Sequence, residues 1–227
     1  MKGRWQLTDE PESARWLEKR RVAEVLRRLG LTCLRSDVGV EELGSVIEKL
    51  EEVDQVLAAK FGPTFYEALA DGRWEADQGH YADRNPLVGL CNAISPPLYL
   101  EQDGERTIGK LVFDFRFEGA PGYVHGGLIS AVFDQLFGSV MIGSEQPAMT
   151  GELSVRYDRP TPLNVELLLE GQIVGQEGKR VFCKGTLSAE GKVLANADCT
   201  MVLINNERLQ KIFNPAKHSK AGAAEGS

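Results

Sequence analysis

The spacing of hydrophobic residues changes period once along the chain, near Leu87. Before that point the pattern is helical. Val22, Val25, Leu26 and Leu29 recur at i, i+3, i+4 and i+7 and predict a helix over 11–30 with Gly30 as its stop. Leu43, Val46, Ile47, Leu50, Val53 and Leu57 form a longer stripe and predict a second helix over about 41–60, ended by Gly62-Pro63. A short helix is expected around 64–69, and the polar, turn-rich residues 71–86 read as a linker or a loop over the core. After Leu87 the pattern is that of strands. One is expected at 98–101, after Pro96-Pro97. Leu111, Phe113, Phe115 and Phe117 alternate with Val112, Asp114, Arg116 and Glu118, so 107–118 reads as a half-buried strand. Four more follow: one through Leu153, Val155 and Tyr157, one through Val165, Leu167 and Leu169, then 181–187 and 193–203. Gly175-Gln176-Glu177-Gly178 and Glu190-Gly191 are the expected hairpin turns.

One stretch among the strands breaks their period. After the turn Gly119-Ala120-Pro121-Gly122, the residues from Leu128 to Met141 are apolar almost all round a helix: Leu128, Ile129, Ala131, Val132, Phe133, Leu136, Phe137, Val140. Such a helix is expected to be buried on every side. Strands joined by short turns imply an antiparallel sheet, and the helix packs on its concave face. The expected class is therefore α+β, an antiparallel β-sheet wrapped around one buried central helix, with an N-terminal helical extension. The expected divisions are 1–80 for the helical extension, 81–207 for the sheet domain and 208–227 for a disordered tail of small and polar residues.

Charge refines the helical part. Residues 11–29 carry six basic and three acidic groups, while 41–54 carry six acidic groups against Lys49. Opposite charge predicts that the two helices pack together as a hairpin with solvated faces. The whole chain of 227 residues has a net charge of −7, which argues against a general nucleic-acid partner. Its 42% hydrophobic content supports a packed core. No run approaches the ~18 uninterrupted apolar residues of a membrane span, and residues 1–6 lack the apolar core of a signal peptide, so no membrane partner and a cytoplasmic location are expected. Cys33, Cys91, Cys183 and Cys199 show no Cys-x-x-Cys spacing and read as reduced core or strand residues. With three histidines in all, neither a metal site nor a cofactor is expected.

The candidate chemistry sits on the central helix. Asp134 is a lone carboxylate in an apolar helix, and such a group needs a partner or a task. At the start of the helix, Gly126 and Gly127 would let an acyl carbonyl approach backbone N–H groups that have no intrahelical acceptor. That is an oxyanion hole in outline. Gly126 and Asp134 are eight residues apart, about 12 Å along one helix. A base must come within roughly 3 Å of its target, directly or through a water. If both groups act on one substrate, they come from two chains, so a homodimer is expected, with a dimer of dimers as a further possibility.

His125-Gly126-Gly127 with Asp134 nine residues after the histidine, followed by Met149-Thr150 and by Arg156-Tyr157-Asp158-Arg159-Pro160-Thr161-Pro162-Leu163, resembles the PaaI-like hot-dog acyl-CoA thioesterases over residues 85–205. The resemblance implies the hot-dog fold and hydrolysis of acyl-CoA. It makes Asp134 the general base or nucleophile, and Gly126, with Gly127, the carbonyl-polarising donors. Thr150 then helps hold water or substrate. His125 either orients the loop or touches substrate. Coenzyme A carries phosphates that need cations, and Arg156, Arg159, Lys179 and Arg180 lie in the region the family uses for it. Some members carry an amide side chain before the histidine; Glu118–Tyr123 has none here. The acyl tunnel is expected from two chains and the loop around 80–97. The alternatives are a non-catalytic acyl-CoA-binding regulator on the same fold and a hot-dog hydratase or dehydratase.

Overall fold

The computed structural model describes residues 13–62, 64, 81–96 and 98–205. The expected short helix at 64–69 and the tail 208–227 lie outside the described residues. The elements in chain order are α1 (Ala14–Arg35), α2 (Val40–Ala58), the one-turn α3 (Tyr81–Arg84), β1 (Tyr99–Asp103), β2 (Arg106–Val112), α4 (Gly126–Gly143), β3 (Ala148–Tyr157), β4 (Glu166–Glu177), β5 (Arg180–Ala189) and β6 (Lys192–Leu203). A single 3-10 turn, Phe115–Phe117, lies between β2 and α4.

The six strands form one sheet in the order β1-β2-β4-β5-β6-β3, antiparallel throughout. Extra residues in β3, β4 and β6, at Gly151, Val174 and Leu194, bend it. The bent sheet wraps α4, which touches all six strands. Ile129, Val132, Phe133, Leu136, Phe137, Val140 and Met141 face it at spacings of three and four, and all are buried. Two glycines allow the close seating. Gly171 of β4 pairs with Gly185 of β5. A Cβ on Gly171 would come 2.9 Å from Leu136, and one on Gly185 3.1 Å from Phe137. By length and hydropathy alone α4 would suit a membrane span, but its apolar stripe is covered by the sheet.

Several expectations change. The strand expected at 107–118 ends at Val112. Asp114 caps a 3-10 turn instead, accepting from the Arg116 N–H and holding the Arg116 guanidinium in three hydrogen bonds of 2.9–3.1 Å. The alternation of phenylalanines continues past that point, so it mimics a longer strand. The hairpin turn expected over four residues at Gly175–Gly178 narrows to Gly178-Lys179, because β4 runs on to Glu177. Glu190 and Gly191 do form a turn, both with positive φ (49° and 73°), as a tight hairpin requires.

The helical part departs most. Ser13 caps α1, and the helix runs through Gly30 to Arg35. Gly30 is not a stop; it faces the Arg116 side chain, whose Cδ would lie 3.5 Å from an added Cβ. The face of α1 that meets the rest of the chain carries Trp16 and Ala23, with two arginines. Arg20 grips buried Asp83 through contacts of 3.0–3.1 Å, and Arg27 donates to the Leu90 and Asn92 carbonyls. The stripe through Val22, Val25 and Leu26 points elsewhere and is exposed. α2 buries no residue at all. The expected hairpin is absent, since α1 and α2 do not pack along one another.

Candidate active site

The helix α4 has one face that the sheet does not cover, and the expected burial on every side is corrected there. Gly127, Asp134 and Ile142 are exposed in the single chain, and Ser130 and Gly138 are half-buried. Asp134 is therefore a carboxylate on an open face, not one sealed in the core. Beside that face runs β3, an edge strand whose sole neighbour among the described residues is β6.

A bulge in β3 makes the site. The register passes from Thr150 opposite Met201 to Glu152 opposite Thr200, leaving Gly151 as the extra residue. Simple alternation would put Thr150 on the opposite side of the sheet from Leu153, Val155 and Tyr157. The bulge turns it to the helix side. Its hydroxyl donates to Asp134 Oδ1 at 2.7 Å, and Met201 Sδ lies 3.7 Å away. A carboxylate held at one oxygen keeps the other free for a proton or an electrophile. Buried Cys199 lies on the neighbouring strand. Burial first, and then Cys183 and the Asp134 charge, pushes its thiol up to about 12, so it remains protonated and is no competing nucleophile.

The other end of α4 is organised by His125 and Tyr157. His125 is the N-cap, and its Nδ1 accepts from the Gly127 N–H at 3.1 Å. An accepting Nδ1 leaves the ring proton of a neutral imidazole on Nε2. The Gly127 N–H assigned above to a carbonyl is thus already engaged. Gly126 N–H donates to no acceptor among the described residues. Tyr157 donates from its hydroxyl to the Gly126 carbonyl at 2.9 Å and shares a 2.7 Å hydrogen bond with Ser130. It ties the end of β3 to the start of α4. Tyr157 and Ser130 were given no role by sequence reasoning, although the Tyr-x-Arg-Pro run was the signal that could have marked the tyrosine. A further side-chain pair fixes the loop at 80–97 to the helix: Asn85 donates to Gln135, the neighbour of Asp134, at 3.0 Å.

The four candidate cations do not form one cluster in a single chain. Arg156 pairs with Asp158 at 2.9 Å, and Arg159 donates to the Val193 carbonyl at 2.7 Å, both near the Tyr157 end of β3. Lys179 sits in the β4–β5 turn, and Arg180 opens β5. Across the ladder Arg180 aligns with Val202 and so with Met149, at the Thr150 end of β3. Seven residue steps separate Met149 from Arg156, about 23 Å. Adjacency in the strand diagram hid this separation, because β3 and β5 present opposite ends to the two pairs.

Comparison with known proteins fits this geometry. Residues 121–195, which run from the turn before His125 to the first residues of β6, match the thioesterase superfamily. A solved protein described as a thioesterase superfamily protein is 30% identical, with 86% of this chain and 98% of that chain covered and a TM-score of 0.73. The chain belongs to the thioesterase superfamily. Its fold is the superfamily's hot-dog, as the helix wrapped by the antiparallel sheet implies. Among curated proteins, the acyl-coenzyme A thioesterase THEM4 of Mus musculus is 30% identical over 100 residues, and that of Xenopus laevis 28% over 87. These alignments cover 44% and 38% of this superfamily member and 43% and 39% of those proteins. The chain thus spans about two fifths of the length of the curated relatives it matches.

Proposed function

We propose that this thioesterase-superfamily chain hydrolyses acyl-CoA to a free carboxylic acid and coenzyme A. The observation that carries the reading is the Thr150–Asp134 pair on the uncovered face of α4, beside the edge strand β3. The free Asp134 oxygen takes a proton from water, and the water oxygen attacks the thioester carbonyl carbon. The carbonyl oxygen gains charge and is stabilised by the Gly126 N–H at a helix start. The C–S bond then breaks, and the coenzyme A thiolate takes the proton back from Asp134. Direct attack by Asp134, through an anhydride that water then cleaves, balances equally and uses the same groups.

Asp134 and Gly126 of one chain are about 12 Å apart along the helix, so one chain does not supply both to one thioester. The arrangement around β3 supports a two-fold dimer. Thr150 and Asp134 lie at one end of β3, and Tyr157 and Gly126 at the other. Antiparallel pairing of two β3 edges about an axis at Ser154, with Gly151 left out of the count as it is opposite β6, brings Thr150 opposite the partner subunit's Tyr157. Each site then joins one chain's carboxylate to the other chain's helix start, and a two-fold axis gives two of them. The same operation brings Lys179 and Arg180 of one chain toward the partner's Arg159, which restores a cationic region for the coenzyme A phosphates.

The first test is release of free thiol from a panel of acyl-CoAs from short to long, with aromatic members included. No release from any of them, from a folded dimer, rejects the enzyme reading. The second is complementation between an Asp134→Asn chain and a Gly126→Val chain. A Cβ on Gly126 would lie 3.6 Å from Tyr157, an ordinary contact, and the methyls of valine add the bulk that obstructs a carbonyl; circular dichroism and the thermal midpoint check that this chain folds. Each homodimer is expected to be inactive and the exchanged mixture to regain one good site per mixed dimer. Mixed dimers that show no recovery reject the shared site.

A further inference from the structure

The two N-terminal helices each present an exposed apolar stripe, which the other described residues do not bury. On α2, Leu43, Ile47, Leu50 and Leu57 are all more than two fifths exposed, and the helix buries nothing. A stripe at this spacing is the mark of a helix that packs. On α1, Trp16, Ala23, Arg20 and Arg27 face the sheet domain, while Val22, Val25 and Leu26 face away from it and are exposed. The two bare stripes belong to helices of opposite charge. Helix α1 holds seven basic and two acidic residues, and α2 six acidic and one basic, a net of +5 against −5. The connection Ser36–Gly39 is extended at both caps, and it leaves the helices apart rather than folded on one another.

We propose that α2 docks its apolar stripe on the outward stripe of α1 from a second copy of this chain, and that the exchange is reciprocal. Charge complementarity decides the occupant. The surface that fits an acidic, Leu-rich helix is a basic helix with a bare apolar stripe, and the same sequence supplies it. Reciprocal docking is isologous: two helix pairs related by a two-fold axis bury all four stripes at once. The interface is separate from the β3 edge, because α1 and α2 make no ladder with the sheet.

The test is cross-linking between full-length chains in a Cys33→Ser background. One chain carries Val25→Cys, at the centre of the outward stripe of α1. A second, size-tagged chain carries Leu50→Cys, at the centre of the α2 stripe. Centre-to-centre placement serves any crossing direction. Mild oxidation after subunit exchange is expected to give the heterodisulfide in large excess over a control pair in which Glu52→Cys, on the opposite face of α2, replaces Leu50→Cys. Equal yields from the two pairs overturn the proposal. An independent measurement uses Ile47→Asp, which disturbs no packing within its own chain. Sedimentation is expected to show one association step weakened about 100-fold or more, as loss of a buried aliphatic side chain implies. An unchanged assembly overturns the proposal as well. The substituted positions Val25, Cys33, Ile47, Leu50 and Glu52 are exposed and lie outside the Arg20 and Arg27 contacts that hold the 80–97 loop, so the Asp134 site is left as it is.

Discussion

Helices α2 and α4 carry apolar residues at the same spacings of three and four, and they meet different surroundings. The stripe of α4 lies in the hollow of its own sheet, over the glycine pair Gly171 and Gly185, with Phe133, Leu136 and Phe137 fully covered. No residue of the α2 stripe is buried. Periodicity therefore reports that a helix has an apolar face to bury, not what buries it. The uncovered faces differ in the same instructive way. On α4 the bare side is narrow and carries a carboxylate with a hydroxyl partner, which suits chemistry. On α2 it is broad and aliphatic, which suits a second helix.

The largest expected effect is on the bare side of α4. Asp134→Asn should lower turnover by about 10³-fold, within the range for loss of a general base, while the thermal midpoint stays near the parent's. Near-parental turnover would remove Asp134 from the chemistry. Next come the covered stripes. Phe133→Ala should destabilise the chain by about 3–5 kcal/mol, because it opens a cavity under the sheet. Leu50→Ala on α2 should change the free energy of denaturant unfolding by less than about 0.5 kcal/mol when measured below the concentration of association. A cost at Leu50 equal to that at Phe133 would mean that α2 is covered within one chain.

The attachment of α1 sharpens the contrast. Asp83 is buried and gripped by Arg20. Removing one partner leaves a buried charge, so Arg20→Ala should cost about 3 kcal/mol and release α1 to proteolysis. Lys179→Ala with Arg180→Ala should raise KM for acyl-CoA several-fold with kcat little changed, since phosphate anchoring serves ground state and transition state alike. An unchanged KM would take this pair out of the site.

The smallest effect is read from thiols. Cys33 is exposed, whereas burial pushes the Cys91 and Cys183 thiols up to about 11 and Cys199 up to about 12. Unfolded thiols ionise near 9 and the folded ones two to three pH steps higher, so the folded state holds more protons in between. Stability from these groups is fully present below about pH 9 and falls as pH rises toward 11–12. A midpoint that falls as pH climbs above 9, with Cys33 labelled first by a thiol reagent at pH 8, would agree. Early labelling of Cys183 would contradict its burial.

Much of the fold was legible from local pattern. Alternation placed the strands, the apolar run placed α4, and the His-Gly-Gly to Asp spacing drew attention to both ends of one helix. Each of these rests on contacts between near neighbours in sequence, which a linear pattern records. The phenylalanines at 115 and 117 misled because they extend the alternation into a 3-10 turn capped by Asp114, in which Phe117 is buried and Phe115 is exposed. Family resemblance gave Thr150 a part in holding water or substrate but not its hydrogen bond to Asp134, and alternation alone would have sent Thr150 to the wrong face.

The sequence by itself determined most of the helices and strands, which faces are apolar, and that Asp134 and Gly126 stand about 12 Å apart along one helix. Those follow from rise per residue and period, both properties of the backbone. The tertiary structure alone decided the rest. It set the Gly151 bulge that turns Thr150 to Asp134, and it occupied the Gly127 N–H with His125 and fastened Gly126 with Tyr157. It also parted the cations to opposite ends of β3 and turned α1 so that its arginines, not its aliphatic stripe, meet the sheet domain. Each depends on register between strands distant in sequence, or on which of two faces finds a partner. A one-residue shift in register reverses the side on which every following side chain lies.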